Sequence, residues 1–466
     1  MNDKLLKLRS VLKTMPLNNN QINNILGIID TQNKEIDDTI SSLLEQYYSY
    51  GIEKDFRINT SNCIRVGNLD LHRSLPIQSK MRGCLLDDDG NIVEYLPQND
   101  WTSAIRDGTK GQVMVYIPAH YRKFYNKDNG NIIGVRISEL PLIGYHYVPD
   151  MFIGAYEATL YRPNLKLSSV VNTSTDFRGG SGKSEWDNTY RSLLGRPITN
   201  INISMFRSYA RNRGNIRWNI CTYELRKTLV WLYVIEYANF NSQLEYNAEL
   251  TVDGYHQGGL GFGVNKLSNW ESYNNMNPII PCGYTDSLGN NSGVIKYTAY
   301  NEDGTVFLTE EVSRYRGIEN INGHISEFLE GIIILISDKV KNDGTRLNKV
   351  YVCDDPNNFN DISVDNYTYI GDASNNSGYI KTLIFGDNGC ILPATNGGNS
   401  SYPIGDYIVN DPNSSSNMLK CVFICNSGKY KDYYSGLFFF STRYSADINS
   451  PYMGSRLCFI SQQNKN

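Results

Sequence analysis

Residues 314–331, RYRGIENINGHISEFLEG, constrain the fold more than any other stretch, because a polar turn here runs directly into an apolar segment. Gly317 and Gly323 permit positive φ angles without the steric cost that a Cβ atom imposes. Between them, residues 319–322 carry Glu and Asn side chains, which bond to nearby backbone groups in turns. We therefore expect a structured polar loop at this place in the chain.

An apolar segment follows this loop. Ile325, Phe328 and Leu329 recur at positions i, i+3 and i+4, which predicts a short helical turn with one apolar face. Gly331 is placed to end that turn. The run IIILI at residues 332–336 then predicts a fully buried strand. The predicted order is a loop, a helical turn, a glycine stop and a core strand.

This order resembles the formylglycine-generating-enzyme-like branch of the C-type lectin fold, where R-G-x-x-N-x-x-G-N-V-W-E-W precedes a strand. The residues that match this pattern in kind are Arg316, Gly317, Asn320, Gly323, Ile325, Glu327 and Phe328. His324 stands where the family prefers Asn, and Ser326 and Phe328 stand where it prefers Trp. These departures favour the phage and diversity-generating-retroelement relatives, which use the fold as a binding scaffold. The alternative is a turn, helix and strand of some other fold.

Other segments extend the resemblance over most of residues 60–460. The stretches VMVYIPAHYRKFY (113–125) and VPDMFIGAYEAT (148–159) resemble the opening strands of tail fibre proteins of gut Bacteroidales phages, in which IP-x-x-Y and IG-x-Y-E recur. Residues 63–86 also look like proteins of crAss-like phages, and residues 235–243, IEYANFNSQ, resemble the end of the family's core helix. The resemblance implies a tail fibre or receptor-binding protein of such phages.

The sequence predicts an α+β protein in three parts. Residues 1–46 lack aromatic side chains and form an N-terminal helical, coiled-coil anchor. Residues 47–112 form a short β-rich connector, in which an Asp-Gly turn between apolar flanks predicts a hairpin. Residues 113–466 form a large C-type-lectin-like domain with long surface loops, as the resemblance implies. The contiguous carboxylates at 87–89 do not have calcium-loop spacing and are interpreted as turn residues.

The N-terminal anchor is predicted to trimerise, because apolar residues follow a strict 4,3 spacing. The predicted trimer seam consists of Ile22, Leu26, Ile29, Asn33, Ile36, Ile40 and Leu43. Ile at both seam positions favours trimers, and one buried Asn fixes the register. Pro16 separates the first 15 residues as a short helix or docking segment for other virion proteins. An ordinary amphipathic helix packed on its own domain is the alternative.

A core helix is predicted at residues 222–237. Leu225, Leu229 and Leu232 lie on one side, and Thr222 is a suitable N-cap. The glycine-rich stretches at 178–184 and 256–263 lack the spacing and the strand and helix context of phosphate or dinucleotide loops. Both are therefore interpreted as ordinary loops.

Composition narrows the classes of function. The net charge of −4 gives no basic face for nucleic acid, and no apolar run is long enough to insert in a membrane. Nine scattered Cys and five separated His offer no zinc spacing, so no metal or cofactor is expected and the thiols are predicted to be reduced and buried. The 34 Tyr residues indicate contact surfaces, or alternatively an AT-rich genome.

Binding is predicted at the C-terminal end, where long Asn-, Ser- and Gly-rich loops separate short strands. Carried over from the diversified members of the family, the candidate ligand-binding residues are Lys429, Tyr430, Tyr433, Tyr434, Tyr444, Asp447, Asn449 and Tyr452. Arg456 and Phe459 are expected to be structural. The tyrosines could instead be surface or subunit-contact residues.

The expected function is that of a homotrimeric tail fibre or appendage subunit, present in the virion tail after assembly in the bacterial cytoplasm. It would bind a host-surface glycan or protein through the C-terminal loops, and trimerisation would multiply a weak affinity. The alternative is a structural virion protein whose loops contact neighbouring subunits without binding a receptor. An enzyme is not expected, because no metal triad or catalytic constellation is apparent in the sequence.

Overall fold

The structure of the chain, a computed structural model, describes residue 13 and residues 18–264, 267–340, 346–424 and 435–461. It is mostly β, with 35% strand and 20% helix. The α-helices in this part of the chain are α1 (Asn19–Tyr48), α2 (Leu69–Ser74), α3 (Ile203–Arg211), α4 (Tyr223–Tyr237) and α5 (Leu267–Trp270).

The strands are short and follow one another along the whole chain. They are β1 (Tyr50–Asp55), β2 (Ile64–Gly67), β3 (Arg82–Leu86), β4 (Ile92–Tyr95), β5 (Gln112–Ile117), β6 (His120–Lys127), β7 (Ile132–Ser138), β8 (His146–Val148), β9 (Met151–Gly154), β10 (Thr159–Tyr161), β11 (Lys166–Ser168), β12 (Trp218–Ile220), β13 (Gly293–Tyr300), β14 (Val306–Tyr315), β15 (Ile318–Glu319), β16 (Ser326–Val340), β17 (Arg346–Val352), β18 (Thr368–Ala373), β19 (Gly378–Phe385), β20 (Cys390–Asn396), β21 (Tyr407–Val409), β22 (Leu419–Ile424), β23 (Phe440–Ser441), β24 (Met453–Gly454) and β25 (Leu457–Ile460).

Three sheets carry most of the structure. One has the order β2-β1-β7-β6-β8, and a second has the order β12-β25-β9-β5-β3-β4. The third runs β18-β17-β16-β22-β23-β21-β19-β20, with β24 parallel to β16. Smaller sheets are formed by β13-β14-β15 and by β10-β11. Helix α4 is surrounded by the apolar core, which draws residues from all three larger sheets.

Strands from distant parts of the chain pair with each other. Tyr50 in β1 lies opposite Ile137 in β7, and Cys84 in β3 lies opposite Met114 in β5. The last strand, β25, lies between β12 and β9. Residues 47–112 are therefore built into the same sheets as the segments that follow, and sheet pairing marks no boundary at residue 112. The predicted Asp-Gly hairpin is present as β3 and β4.

The predicted core helix is confirmed as α4. The Thr222 hydroxyl accepts a hydrogen bond from the Leu225 N–H at 3.3 Å, which makes it the N-cap. Every residue of the helix except Glu224 is buried. The Arg226 guanidinium donates to the carbonyls of Ile321 and Leu437, both at 2.9 Å, so its buried charge is hydrogen-bonded.

The helical turn predicted after the polar loop is wrong, because residues 326–340 form the strand β16. Phe328 packs on Phe423 in one apolar cluster, whereas Leu329 belongs to the cluster on the other side. A strand buried on both faces has apolar residues at every position, so spacing alone cannot distinguish it from a helix. Gly331, at φ +73°, lies where the β16–β22 register shifts, and a Cβ atom there would lie 2.5 Å from the Cys353 carbonyl. Gly331 therefore allows β16 to form a β-bulge at this point.

The expected α+β architecture, with a trimeric coiled coil and a C-type-lectin-like domain, is also wrong. The heptad segment is the single helix α1, and the described residues contain no long coiled coil. The C-terminal end of α1 is tied to a sheet: Gln46 donates to the Gly67 carbonyl at 3.0 Å, and Ser138 donates to the Tyr48 carbonyl at 2.7 Å. After α1 the chain adds strand to strand, which makes the protein mostly β.

The predicted seam residues do not share one environment. Ile22 is buried and Leu26 is half-buried, whereas Ile40 and Leu43 are 50% and 53% exposed. The side chains of Ile29, Asn33 and Ile36 lie outside the described residues.

Candidate functional site

The predicted C-terminal site is only partly within the described residues. Lys429, Tyr430, Tyr433 and Tyr434 lie outside them, whereas Tyr444, Asp447, Asn449 and Tyr452 belong to the segment that crosses β22 before β24.

Within that segment, the two tyrosines are half-buried and the two other candidates are exposed. Tyr444 packs edge-on against Phe423, with ring centroids 6.2 Å apart, and its carbonyl accepts from the Cys421 N–H at 3.0 Å. The Tyr452 carbonyl accepts from the Ser326 N–H at 2.9 Å. Asp447 accepts a hydrogen bond from the Ser445 hydroxyl. The tyrosines thus anchor the segment, and Asp447 and Asn449 are the two of these four that are exposed.

Arg456 and Phe459 lie in the core. The Arg456 guanidinium is buried, pairs with Glu327 at 2.8 Å and donates to the Glu319 carbonyl at 2.8 Å. Phe459 packs against Trp218 at 5.0 Å. Arg456 therefore connects the segment before β25 to β15 and β16.

A cleft of about 530 Å³ lies elsewhere, between the β3–β4 turn, the loop before β5 and the β10–β11 hairpin. We call it the aromatic cleft. Its lining residues are Asp87, Asp88, Asp107, Gly108, Thr109, Lys110, Gly111, Gln112, Tyr161, Asn164, Lys166, Ser168, Asn172, Phe177 and Arg213.

Two aromatic rings form an apolar surface in this cleft. Tyr161 ends β10, and Phe177 ends a short 3₁₀ turn. Their ring centroids are 5.3 Å apart and their planes are inclined by 32°. The Arg162 guanidinium donates to the Arg178 carbonyl at 2.8 Å and so holds the two segments together. Tyr161 is half-buried, so part of its surface is available to a ligand.

A network of ion pairs forms another wall. Asp88 pairs with Lys166 at 2.9 Å and with Arg213. Arg213 is buried and also donates to the Leu167 carbonyl at 2.6 Å and to the Ser168 hydroxyl at 2.7 Å. These contacts fix the side chains before any ligand arrives, which lowers the entropic cost of binding.

Gln112 supplies a hydrogen-bond donor with no partner in the described part of the chain. Only 5% of the residue is exposed, and its Oε1 accepts from the Ser169 N–H at 2.9 Å. Its Nε2 has no acceptor among the described residues, and the residue lines the cleft. The Nε2 atom is accessible to solvent from the cleft, so it can donate to a water or to an accepting group of a ligand.

The rim of the cleft is polar and already structured. Asp107 accepts from the hydroxyl and the backbone N–H of Thr109, at 2.6 and 3.0 Å, and these bonds lower the pKa of its carboxyl group. Lys110 pairs with Glu94 at 3.0 Å. The cleft as a whole combines an aromatic surface, paired charges and one free amide donor, which suits a polar, uncharged ligand.

Sequence reasoning did not find this cleft. The aspartates at 87–89 were interpreted as turn residues, and Asp87 does accept from the Asn91 N–H at 2.8 Å. The side chain of Asp88 turns instead to Lys166 and Arg213, far away in sequence. Tyr161 and Phe177 are 16 positions apart and have no shared motif, so nothing in the pattern connects them.

The groups that carry redox or metal chemistry do not form an accessible site in the described residues. Burial raises the pKa of the Cys282, Cys421 and Cys458 thiols. The described part of the chain has no group of three or more His, Cys, Asp and Glu side chains that could hold a metal ion. His324 and Glu157 pair at 2.6 Å, but both are buried in the core.

None of the helices in the described ranges combines the length and apolarity that crossing a bilayer requires.

No protein-family model matches the chain, and no curated protein is significantly similar to it.

Proposed function

We propose that the chain is a non-enzymatic binding subunit of a phage tail fibre or appendage, and that it attaches to a glycan on the bacterial surface through the aromatic cleft. The observation that carries the proposal is the cleft itself, in which the Tyr161–Phe177 pair lies beside the Gln112 amide, whose Nε2 has no acceptor among the described residues. The virion context rests on the sequence resemblance to phage tail fibre proteins.

The cleft matches the chemistry of a sugar ring. One face of a pyranose presents C–H groups, which pack on an aromatic ring, and its edge presents hydroxyls, which both donate and accept. Tyr161 offers the ring, Gln112 offers a donor, and Asn164 on the rim offers an amide group. The ionisable side chains that line the cleft balance in charge, which favours a neutral sugar: they are three carboxylates (Asp87, Asp88 and Asp107) and three cations (Lys110, Lys166 and Arg213).

The test is binding of the full chain to immobilised bacterial surface polysaccharides. We expect Tyr161→Ala to abolish binding. The matched control is Tyr190→Ala, because Tyr190 is also a partner in an aromatic pair, at 5.6 Å from Tyr300, and is exposed but lies outside the cleft. Equal loss in both variants, or retention in the Tyr161 variant, contradicts the proposal.

The C-terminal residues predicted from sequence stay a prediction. Asp447 and Asn449 are exposed and could contact the same receptor, as could the four candidates outside the described residues. A double variant, Asp447→Ala with Asn449→Ala, tests this in the same binding assay. Loss of binding in this variant, with the Tyr161 variant unaffected, moves the receptor site to the C-terminal loops.

A structural virion protein is the second candidate function. The observation that favours it is the face of α1 turned away from the sheet, where Ile40, Leu43, Leu44 and Tyr47 are all exposed. Such a patch is typical of a protein interface. We propose that copies of the chain, or a neighbouring virion protein, cover it. Sedimentation of the wild type against an Ile40→Asn, Leu43→Asn variant tests self-association, which the variant should abolish.

A further inference from the structure

A second cavity, of about 300 Å³, lies at the N-terminal end of α4 and is separate from the aromatic cleft. We call it the Lys227 cavity. Its lining residues are Arg122, Phe124, His146, Tyr147, Val148, Pro149, Met151, Thr222, Glu224, Lys227, Asp354, Phe359, Asp387, Asn388 and Ile460. A volume of this size holds a small organic molecule.

Charged side chains form its floor: Arg122 and Lys227 are buried and Glu224 is half-buried. Glu224 accepts from Arg122 at 2.7 Å and from Lys227 at 2.5 Å, and Arg122 also donates to the Thr228 hydroxyl at 3.0 Å. Two cations therefore face one carboxylate. These three side chains carry one positive charge in excess and are held in fixed geometry.

Lys227 is incompletely hydrogen-bonded. The residue is 7% exposed, and its ammonium group has three N–H donors. Among the described residues only Glu224 accepts from it. A buried ammonium with unused donors is costly unless an acceptor from outside the chain completes them. Because Lys227 lines the cavity, that acceptor can lie inside it.

The start of α4 also favours a ligand group that accepts hydrogen bonds inside the cavity. Thr222, the N-cap, and Glu224, the second residue of this 15-residue helix, both line the cavity. The backbone N–H of Glu224 has no acceptor among the described residues. The N-terminal end of a helix carries partial positive charge, which favours an anionic ligand group. This partial charge adds to the positive charges of Lys227 and Arg122.

The walls and the mouth have a different character from the floor. Phe124, Met151 and Phe359 are among the apolar side chains of the walls. Asp387 is an exposed carboxylate, and no ion pair joins it to another described residue. Asp354 lies within electrostatic range of the floor: burial raises the pKa of its carboxyl group, and the charges of Lys227 and Arg122 act in the opposite direction. A ligand that extends from the floor to the mouth thus passes from cations through apolar walls to the Asp387 carboxylate.

We infer that the Lys227 cavity binds a small amino-carboxylate, with its carboxylate on Lys227 and its ammonium group at Asp387. The apolar walls pack against the carbon chain between the two charged ends. This site is independent of the proposed glycan site, since the two cavities share no lining residue.

The experiment is calorimetric titration of the full chain with three amino acids, glycine, 4-aminobutanoate and 6-aminohexanoate. Acetate, butanoate and hexanoate are the matching carboxylates, and hexylamine is the matching amine. We expect at least one amino acid to bind about tenfold or more tightly than its carboxylate, the factor that one modest charge interaction gives. Failure of every amino acid to bind, or binding of hexylamine as tight as that of the best amino acid, overturns the inference.

Two variants locate the ends of the ligand. Lys227→Met should abolish binding of amino acid and carboxylate alike. Asp387→Asn, at an exposed position, should lower the affinity for the amino acid to that for its matching carboxylate. The affinity for the carboxylate itself should not change. Asp365→Asn, another exposed aspartate, is the control and should change neither. Unchanged amino acid binding in the Asp387 variant contradicts the proposed orientation even if the Lys227 variant does not fold.

Discussion

Two helices of this protein, α1 and α4, differ in how the spacing of their apolar residues corresponds to their burial. Helix α1 has the more regular apolar spacing, yet it lies at the surface and exposes Ile40 and Leu43. Helix α4 is apolar nearly all round, and every residue but Glu224 is buried. A regular stripe therefore indicates a helix that keeps one side in water, whereas a helix without a polar face indicates the centre of a core.

Their polar contacts differ in the same way. Helix α1 is fastened at its end by Glu45, which pairs with Lys123 at 3.1 Å in a partly exposed setting. Helix α4 carries Glu236, a buried residue that accepts from Arg316 through two bonds of 2.7 Å and from the Tyr315 hydroxyl at 2.9 Å. Substitutions at corresponding positions of the two helices can test this contrast.

The largest effect is expected from Glu236→Ala. Removing this carboxylate leaves the Arg316 charge and the Tyr315 hydroxyl without their partner in the core, which should lower the free energy of unfolding by about 3–5 kcal/mol. Glu45→Ala in α1 breaks a partly exposed pair and should cost about 1 kcal/mol or less. Urea unfolding of both variants measures the difference. Similar losses would mean that α1 is as firmly part of the core as α4.

A matched pair of leucines gives the next largest effect. Leu232 in α4 is fully buried and Leu43 in α1 is 53% exposed. Leu232→Ala should cost about 2–5 kcal/mol because it leaves a cavity, whereas Leu43→Ala should stay within about 0.5 kcal/mol. Thermal unfolding at low protein concentration, where copies of the chain do not associate, is the measurement. A cost above 2 kcal/mol for Leu43 would show that its face is covered within one chain.

Low pH should destabilise the protein through protonation of Glu224 in α4. Burial by itself would raise the pKa of this carboxyl group, but the charges of Lys227 and Arg122 prevail and lower it from 4.5 to about 2. Since the folded pKa is the lower one, the stabilisation is present above pH 4.5 and is lost as the pH falls towards 2. It amounts to at most about 3 kcal/mol.

Glu224→Gln should therefore flatten the fall in stability between pH 4.5 and 2 and should lower stability at neutral pH. Unfolding curves across that range, for the variant and the wild type, decide the matter. A variant that keeps the full acid dependence would show that other carboxylates carry it.

The sequence is sufficient to predict features that depend on local chemistry. The N-cap and extent of α4, the Asp-Gly hairpin and the burial of most cysteines follow from residue type and spacing. It fails where the environment is set by distant partners. The segment Ser326–Val340 has helical spacing at its start but is a strand, because apolar clusters pack against both of its faces. The aromatic cleft is invisible for the same reason, since Tyr161, Gln112 and Arg213 meet only after three separate elements have packed.

The smallest effect concerns the first turns of the two helices. Each begins with a side-chain cap: Asn18 accepts from the Gln21 N–H at 2.9 Å, and Thr222 accepts from the Leu225 N–H at 3.3 Å. Thr222→Ala should lower global stability by about 1 kcal/mol, since the whole core must open if α4 frays. Asn18→Ala removes a cap of similar intrinsic strength, but the first turn of α1 can unwind without disturbing the sheets. Hydrogen exchange should therefore show faster exchange confined to residues 19–23 in the Asn18 variant, with unchanged global unfolding. If that variant instead lowers global stability as much as Thr222→Ala does, the start of α1 is coupled to the core, and the contrast between the two helices holds only for their apolar faces.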